Sequence, residues 1–250
     1  MAVLGDVHAN LEALEAVLAA VRRVGADRVV GLGDVVGYGA RPRECVERMA
    51  VATDACVLGN HDHGAIADAA AAGTHPSARQ VMRWTRAQLA DGHVAWLAAR
   101  PALTVLRPPG VAVAHGCYLN RTYHRGYVTS TMLEANLDAV AARDDLPSIA
   151  LCGHTHVPMV GWRGADGALH ERAPREGTVR WDADARVVLV NPGAVGQPRD
   201  GDPRAAFAVL DAEARSCTVH RVPYDVGAAA EAIRAAGLPD DYADRLLEGR

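Results

Sequence analysis

The opening stretch MAVLGDVHANLEALEAVLAAVRRVGADRVVGLGD, residues 1–34, decides the fold class. Ala2 to Leu4 is a short apolar run that ends in Gly5-Asp6. Asn10 stands where a helix needs an N-cap, and Leu11, Leu14, Val17, Leu18 and Val21 then recur at helical spacing up to Gly25. Val29 to Leu32 is a second apolar run, and it too ends in Gly-Asp. Strand, helix, strand, with a sharp turn behind each strand, is the pattern of a largely parallel sheet covered by helices.

Further along, Pro42 opens a second helix through Ala50, and Ala55 to Leu58 forms a third strand ending in Gly59-Asn60. Residues 64–102 break the rhythm. They are Ala-rich, with Val81, Trp84, Leu89, Trp96 and Leu97 as sparse anchors, and predict two or three helices. Strands return at Leu103–Leu106, Val111–Ala114, Ile149–Cys152, Val157–Trp162, Val187–Val190, Ala206–Asp211 and Cys217–Val222, several joined by short Gly/Asp turns, so the later half reads as antiparallel or mixed. The tail from Asp225 is helical and split at Gly237-Leu238-Pro239. The expectation is a single α/β domain over 1–250, with insertions at about 64–102 and 117–147 and a helical tail at about 225–250. Met1 stands almost inside the first strand, which leaves an upstream start open.

Composition narrows the function. The 250 residues suffice for a full hydrophobic core. There is no apolar run of transmembrane length and no signal-peptide pattern at the start, so no membrane partner is expected. Net charge is −4, which disfavours a dedicated nucleic-acid binder. The five cysteines are odd in number and scattered, without a C-x-x-C pair, which predicts free thiols and a cytoplasmic location. All 26 basic residues besides histidine are Arg, so any side chain gripping an anion is Arg or protonated His. Eleven histidines stand out against this background.

Many of the polar residues gather at strand ends: Asp6-x-His8, Gly33-Asp34, Gly59-Asn60-His61-Asp62, His115-Gly116 and Gly153-His154-Thr155-His156. Sites in open α/β sheets form beyond the carboxyl ends of strands. Two Asp, one Asn and four His without thiolate suit Mn²⁺, Fe or Zn²⁺ more than Ca²⁺. Seven ligands exceed one tetrahedral site and match two ions sharing a carboxylate, an arrangement used for phosphate-ester hydrolysis. Any one of these groups alone is an ordinary turn former, N-cap or packed histidine.

In this order, the motifs resemble the calcineurin-like metallophosphoesterases, and residues 5–14 (GDVHANLEAL) and 191–204 (NPGAVGQPRDGDPR) are especially similar to the bacterial and archaeal phosphodiesterase branch. The resemblance implies a two-sheet mixed β-sandwich flanked by helices, four layers in all, with a helical cap insertion. It implies that Asp6, His8 and His156 hold one metal, that Asn60, His115 and His154 hold a second, and that Asp34 bridges them. His61 would then face the substrate as the catalytic histidine, with Asp62 as its support. The implied cofactors are two divalent transition-metal ions, Mn first, with Fe, Zn, Co or Ni admitted, and the implied nucleophile is a metal-bridging hydroxide. Gly33-Asp34-Val-Val-Gly-Tyr38 lacks the Asp-Arg-Gly of Ser/Thr protein phosphatases, and Asp62 stands where those carry Glu, so a phosphoprotein phosphatase is not expected.

The expected function is therefore a metal-dependent phosphoesterase, a phosphodiesterase acting on small soluble esters, nucleotide or cyclic nucleotide esters among them. The alternatives are a phosphomonoesterase or dinucleoside polyphosphate hydrolase, and, with all seven ligands present, less favourably a non-catalytic interaction scaffold on the same fold. A DNA-processing nuclease is disfavoured by the acidity. Tyr38, Arg121, Tyr123, His124 and Arg199 are open candidates for substrate contact, as is His63. His75, His93, His170 and His220 read as structural or surface residues, and Cys117 as a passive thiol. Self-association through Ala-rich helices stays open.

Overall fold

The computed structural model describes residues 1–67 and 76–250. His75 and part of the 64–102 segment lie outside the described residues. The chain runs β1 (Ala2–Leu4), α1 (Leu11–Val24), β2 (Val29–Gly31), α2 (Pro42–Ala52), β3 (Ala55–Cys56), α3 (Asn60–Ile66), α4 (Pro76–Gln88), α5 (Asp91–Ala98), β4 (Leu103–Leu106), β5 (Val111–Ala114), α6 (Ser130–Ala141) and β6 (Ile149–Leu151). It continues through β7 (Met159–Arg163), β8 (Leu169–Arg172), β9 (Gly177–Arg180), β10 (Val187–Asn191), β11 (Ala205–Asp211), β12 (Ser216–Val222), α7 (Val226–Ala235) and α8 (Asp240–Glu248).

Two six-stranded mixed sheets result, ordered β3-β2-β1-β11-β12-β9 and β4-β5-β6-β10-β7-β8. The parallel pairing predicted from residues 1–34 is present: Ala2, Val3 and Leu4 of β1 lie beside Val29, Val30 and Gly31 of β2. On its other side β1 pairs antiparallel with β11, so the chain's late strands complete the sheet its first strands began.

Strand alternation explains the layers. Val3 and Val30 face inward with Val113, Leu151, Val188, Val190 and Ala208, forming the core between the sheets. Ala2 and Leu4 face the other way, onto Leu14, Val17, Leu18 and Val21 of α1. On the second sheet, Val187 and Leu189 face outward onto Leu133, Leu137 and Val140 of α6. The two-sheet sandwich flanked by helices is thus the observed architecture.

Two features differ from the sequence expectation. Within 117–147, Ser130–Ala141 forms the outer helical layer of the second sheet, because Leu133, Leu137 and Val140 offer it an apolar stripe. From the rest of that segment Cys117, Tyr118, Tyr123 and Val128 join the same core cluster, and Tyr127 reaches His154. Strands β8 and β9 were not foreseen: they are edge strands, Leu-His-Glu-Arg and Gly-Thr-Val-Arg, without a clear apolar alternation. At the end of the chain α7 and α8 pack on each other through Ala229, Ala230, Ile233, Tyr242 and Leu246. Asn10 is the N-cap of α1, accepting from the Ala13 N–H at 3.1 Å, and Gly25 ends it at φ +71°.

Among the described residues, no helix is long and apolar enough to cross a membrane. All five cysteines are free and buried.

Candidate metal centre

Beyond the ends of β1, β2, β5 and β6 lie loops that carry six of the seven predicted ligands, and the seventh, Asn60, opens α3 just after β3. The loops are drawn together by backbone bonds. Asp6 N–H donates to Gly33 O and His8 N–H to Asp34 O, while Gly196 N–H donates to Asp6 O at 2.9 Å, which ties in the 191–204 loop. Asn10 reinforces that tie by donating from Nδ2 to Gly196 O at 2.9 Å. Gly33 and Gly59 permit the approach: at φ +86° Gly33 adopts a turn that L side chains avoid, and a Cβ on Gly59 would overlap the Asp34 carboxylate.

The backbone here is strained. Asp6, His8, Asp34, Tyr38, His154 and His156 all have positive φ, between 49° and 68°. Such conformations cost roughly 1–3 kcal/mol each and persist where surrounding structure fixes them. They aim the side chains of both halves of the chain at one point.

Three groupings offer ligand atoms within 4.8 Å of one another: Asp6-His8-His156, Asp34-His115-His154 and His8-Asp34-His61. The first grouping has the members the resemblance implies for one ion; the second joins His115 and His154, implied for the other ion, to Asp34, the implied bridge. Its Oδ2 is 3.6 Å from His8 Nε2 and 3.3 Å from His115 Nε2. Asn60 Oδ1 completes the second set, 3.0 Å from His115 Nε2.

The donor set fits a cation, and the histidine tautomers show why. Nδ1 of His8 faces Val36 O at 3.2 Å, Nδ1 of His115 faces Leu32 O at 2.9 Å, and Nδ1 of His156 faces Gln197 O at 2.6 Å. A carbonyl only accepts, so each Nδ1 carries a hydrogen; the neutral rings of His8 and His156 turn an Nε2 lone pair inward, and His115 does so once a cation displaces its second proton. His8 Nε2 and His156 Nε2 then face each other at 3.1 Å, and His115 Nε2 faces His154 Nδ1 at 3.1 Å. The buried Asp34 Oδ2 lies 3.3 Å from His115 Nε2, whose extra proton is the positive charge among these groups in the metal-free chain. A divalent cation can take the place of that proton among the converging lone pairs and carboxylates.

Protonation follows the same logic. Burial lowers His8 and His156 well below the ordinary histidine value, and lowers His154 to about 3 with His115 adding to the effect. Burial acts in the same direction on His115, but the carboxylate of Asp34 overrides it and raises the ring to about 9. Asp34 is itself buried, yet His115, His61 and His8 hold it well below the usual range. Asp6 is pushed up to about 7, by burial first and by Asp34 next.

Ligation needs the Asp6 carboxylate, so a metal must displace its proton below pH 7 and need not above it. Asp6 alone then weakens apparent affinity by up to about tenfold for each pH unit below 7. A Zn²⁺ competition titration should find binding at least about tenfold weaker at pH 6 than at pH 8. Equal affinities at the two values would contradict this placement of Asp6.

His61 lies where the sequence put it, beside the ligands. Its ring packs at 4.9 Å from His8 and 4.4 Å from Tyr38, and its Nδ1 has no hydrogen-bond partner. Burial holds its pKa below the ordinary value. The expected support from Asp62 takes another form. The Asp62 oxygens accept from the N–H groups of Val35, Val36 and Gly59 at 2.9, 3.1 and 3.1 Å, so this buried carboxylate pins the loop behind Asp34. Asp34 Oδ1 in turn accepts from the His61 N–H at 2.8 Å.

Of the open candidates, Arg199 and Tyr38 flank the centre. The Arg199 guanidinium lies 5.8 Å from the Tyr38 ring centroid and donates to Gln197 Oε1 at 2.9 Å, and among the described residues no carboxylate is within ion-pair distance of it. Its loop is held by the buried Arg221, which pairs with Asp200 and donates to Arg175 O. Tyr123 is buried and packs with Arg143, while His63 and His124 stack on each other at 4.8 Å. His93 meets Glu47 at 3.1 Å, His170 stacks on Trp162, and His220 stacks on Phe207. The Cys117 thiol donates to Arg125 O at 3.2 Å. Tyr127 is an addition the sequence did not signal: its ring stacks on His154 at 4.1 Å and 12°. Only an isolated aromatic in a polar loop marked it.

A two-sheet sandwich with helices outside and inward-facing His, Asp and Asn acceptors at its strand ends defines the class: a metal-binding hydrolase of the four-layer α/β kind. The chain belongs to the calcineurin-like phosphoesterase superfamily, whose domain matches residues 1–215. It is 32% identical over 250 residues to an uncharacterised protein of Methanocaldococcus jannaschii, covering all of this chain and 98% of that one. It is similar to the crystal structure of a metallophosphoesterase from Sphaerobacter thermophilus, at 36% identity and a TM-score of 0.84 with both chains fully covered. A hypothetical protein of Pyrococcus horikoshii shares the fold at 20% identity and a TM-score of 0.78, over all of this chain and 98% of that one.

Proposed function

We propose that the chain hydrolyses small phosphate esters, diesters in preference to monoesters, at a centre built for two divalent transition-metal ions. Asp6, His8 and His156 would hold one ion, Asn60, His115 and His154 the other, and Asp34 would bridge them, with Mn²⁺ the first candidate. The observation that carries this reading is the pair of Nε2 lone pairs of His8 and His156, which face each other at 3.1 Å beside the buried carboxylates of Asp6 and Asp34. When bound, such a pair supplies charge for the phosphate and water acidified enough to attack phosphorus near neutral pH.

The protein's own groups do the remaining work. The three Nδ1–H contacts to backbone carbonyls fix the tautomer and orientation of His8, His115 and His156. Arg199, free of carboxylate partners among the described residues, offers its planar fork to a phosphate oxygen from the Tyr38 side. His61 stands within reach of a group held at Asp34, and its lowered pKa makes it a neutral N–H donor to an oxygen gaining charge, in preference to a preformed imidazolium. Tyr38 keeps that ring in place. Diesters are favoured because a groove lined by Thr155 and by Tyr127, whose ring stacks on His154, offers room for a second alcohol beside the centre.

Reconstitution of chelated protein, followed by rates on a monoester and a diester that share one leaving group, tests the proposal. Mn²⁺ should restore activity, with the diester the faster substrate. Full activity after stringent chelation would remove the metal reading, and a faster monoester would replace the diester preference with a monoester one.

A further inference from the structure

A groove of about 300 Å³ is lined by Thr155, the residue between His154 and His156 in the sequence, by Tyr127 and by Glu171 of the edge strand β8. Its walls are mainly apolar, including Tyr127, Val128, Val157, Pro158 and Met159. Tyr127 is 52% exposed although its ring stacks on His154, so part of the ring is presented to the groove. Among the described residues the only charged one in the lining is Glu171, whose Oε1 accepts from Ser130 Oγ at 2.6 Å.

We propose that this groove is the subsite for one alcohol of the ester, and that this alcohol is a neutral, flat, largely apolar group carrying an N–H or O–H donor, as a nucleoside does. The inference rests on the phosphoesterase reading and extends it to the substrate class. The volume is at the lower end of small-molecule sites and accommodates a compact ring system. Tyr127 supplies an aromatic surface at the mouth, where the phosphate would leave the centre. The Glu171 carboxylate has acceptor capacity beyond the Ser130 hydrogen bond, which a donor on the ligand can use. The same carboxylate, with no cation in the lining, rejects a second phosphate, so a polyphosphate chain would not extend this way.

Ala173 lines the groove from an exposed position and is not one of the proposed ligands, so Ala173→Trp fills the space without replacing a ligand. The test is isothermal titration of Mn²⁺-loaded protein with thymidine 5′-monophosphate and, separately, with inorganic phosphate. Wild type is expected to bind the nucleotide about tenfold more tightly than phosphate, as burial of one ring face would give. Ala173→Trp should erase that difference and leave phosphate affinity unchanged, with Ala173→Ser behaving as wild type. Equal affinity of wild type for the two ligands, or an unaltered nucleotide preference in the Trp variant, would overturn the subsite. Failure of phosphate itself to bind in a metal-dependent way would overturn it by a different route, through the phosphoesterase reading.

Discussion

Asp34→Ala should leave a folded chain that no longer holds a metal pair and has lost hydrolysis by at least about three orders of magnitude in kcat/KM. Asp34 stands between the two ligand sets, 3.6 Å from His8 Nε2 on one side and 3.3 Å from His115 Nε2 on the other. Without it each set keeps three ligands, but nothing joins the ions or screens one from the other. The apo fold should tolerate the change. Asp34 pushes the Asp6 pKa up by like-charge repulsion and holds His115 protonated, so its loss relieves the first and lets the second go neutral. Asp34→Asn, closer in shape, should fall nearly as far because a neutral amide does not bridge two cations. Elemental analysis beside steady-state kinetics checks both variants. A variant with two bound ions and near-normal turnover would contradict the assignment.

His61→Ala should keep both ions and lose roughly 10²–10⁴ in kcat, with KM changed only a few-fold. The retained metals are the informative part. His61 also lies within ligand distance of His8 and Asp34, so loss of one ion from the variant would make it a ligand instead. The wild-type pH profile supplies a second test. Burial lowers the His61 pKa, so the neutral ring is already dominant at pH 6.5 and above. A neutral donor predicts that kcat does not decline from pH 6.5 to 8 on account of His61. A required imidazolium would give a decline over that interval that His61→Ala abolishes.

The first strand–helix–strand unit was legible because its burial is two-sided and its punctuation strong. Ala2 to Leu4 has no polar position to spare, and Asn10 and Gly25 mark the helix ends. The clustering of the seven proposed ligands and His61 was legible for a related reason: each follows an apolar run and sits beside a glycine or at a tight turn. Edge strands β8 and β9 were not legible, since solvent on their open side removes the alternation that burial imposes. Ser130–Ala141 was misplaced for the opposite reason. Its apolar stripe is present in the sequence, but nothing local says that the partner is the outer face of β10, from Val187 and Leu189. The features that turn the histidines inward were beyond sequence reading altogether. The carbonyls of Leu32, Val36 and Gln197 belong to residues whose side chains carry no such signal, and only the fold brings them to the rings. Asp62 shows the same limit: adjacency to His61 suggested a partnership, whereas its oxygens bind the backbone of Val35 and Val36.

The central claim is that one carboxylate joins two ions into a hydrolytic centre. Its most direct measurement is the number of metal ions per chain in Mn²⁺-reconstituted protein as a function of restored phosphodiesterase activity. Activity should appear only as occupancy passes one ion and should reach its maximum at two. Full activity at a single ion per chain, or activity independent of occupancy, would contradict it.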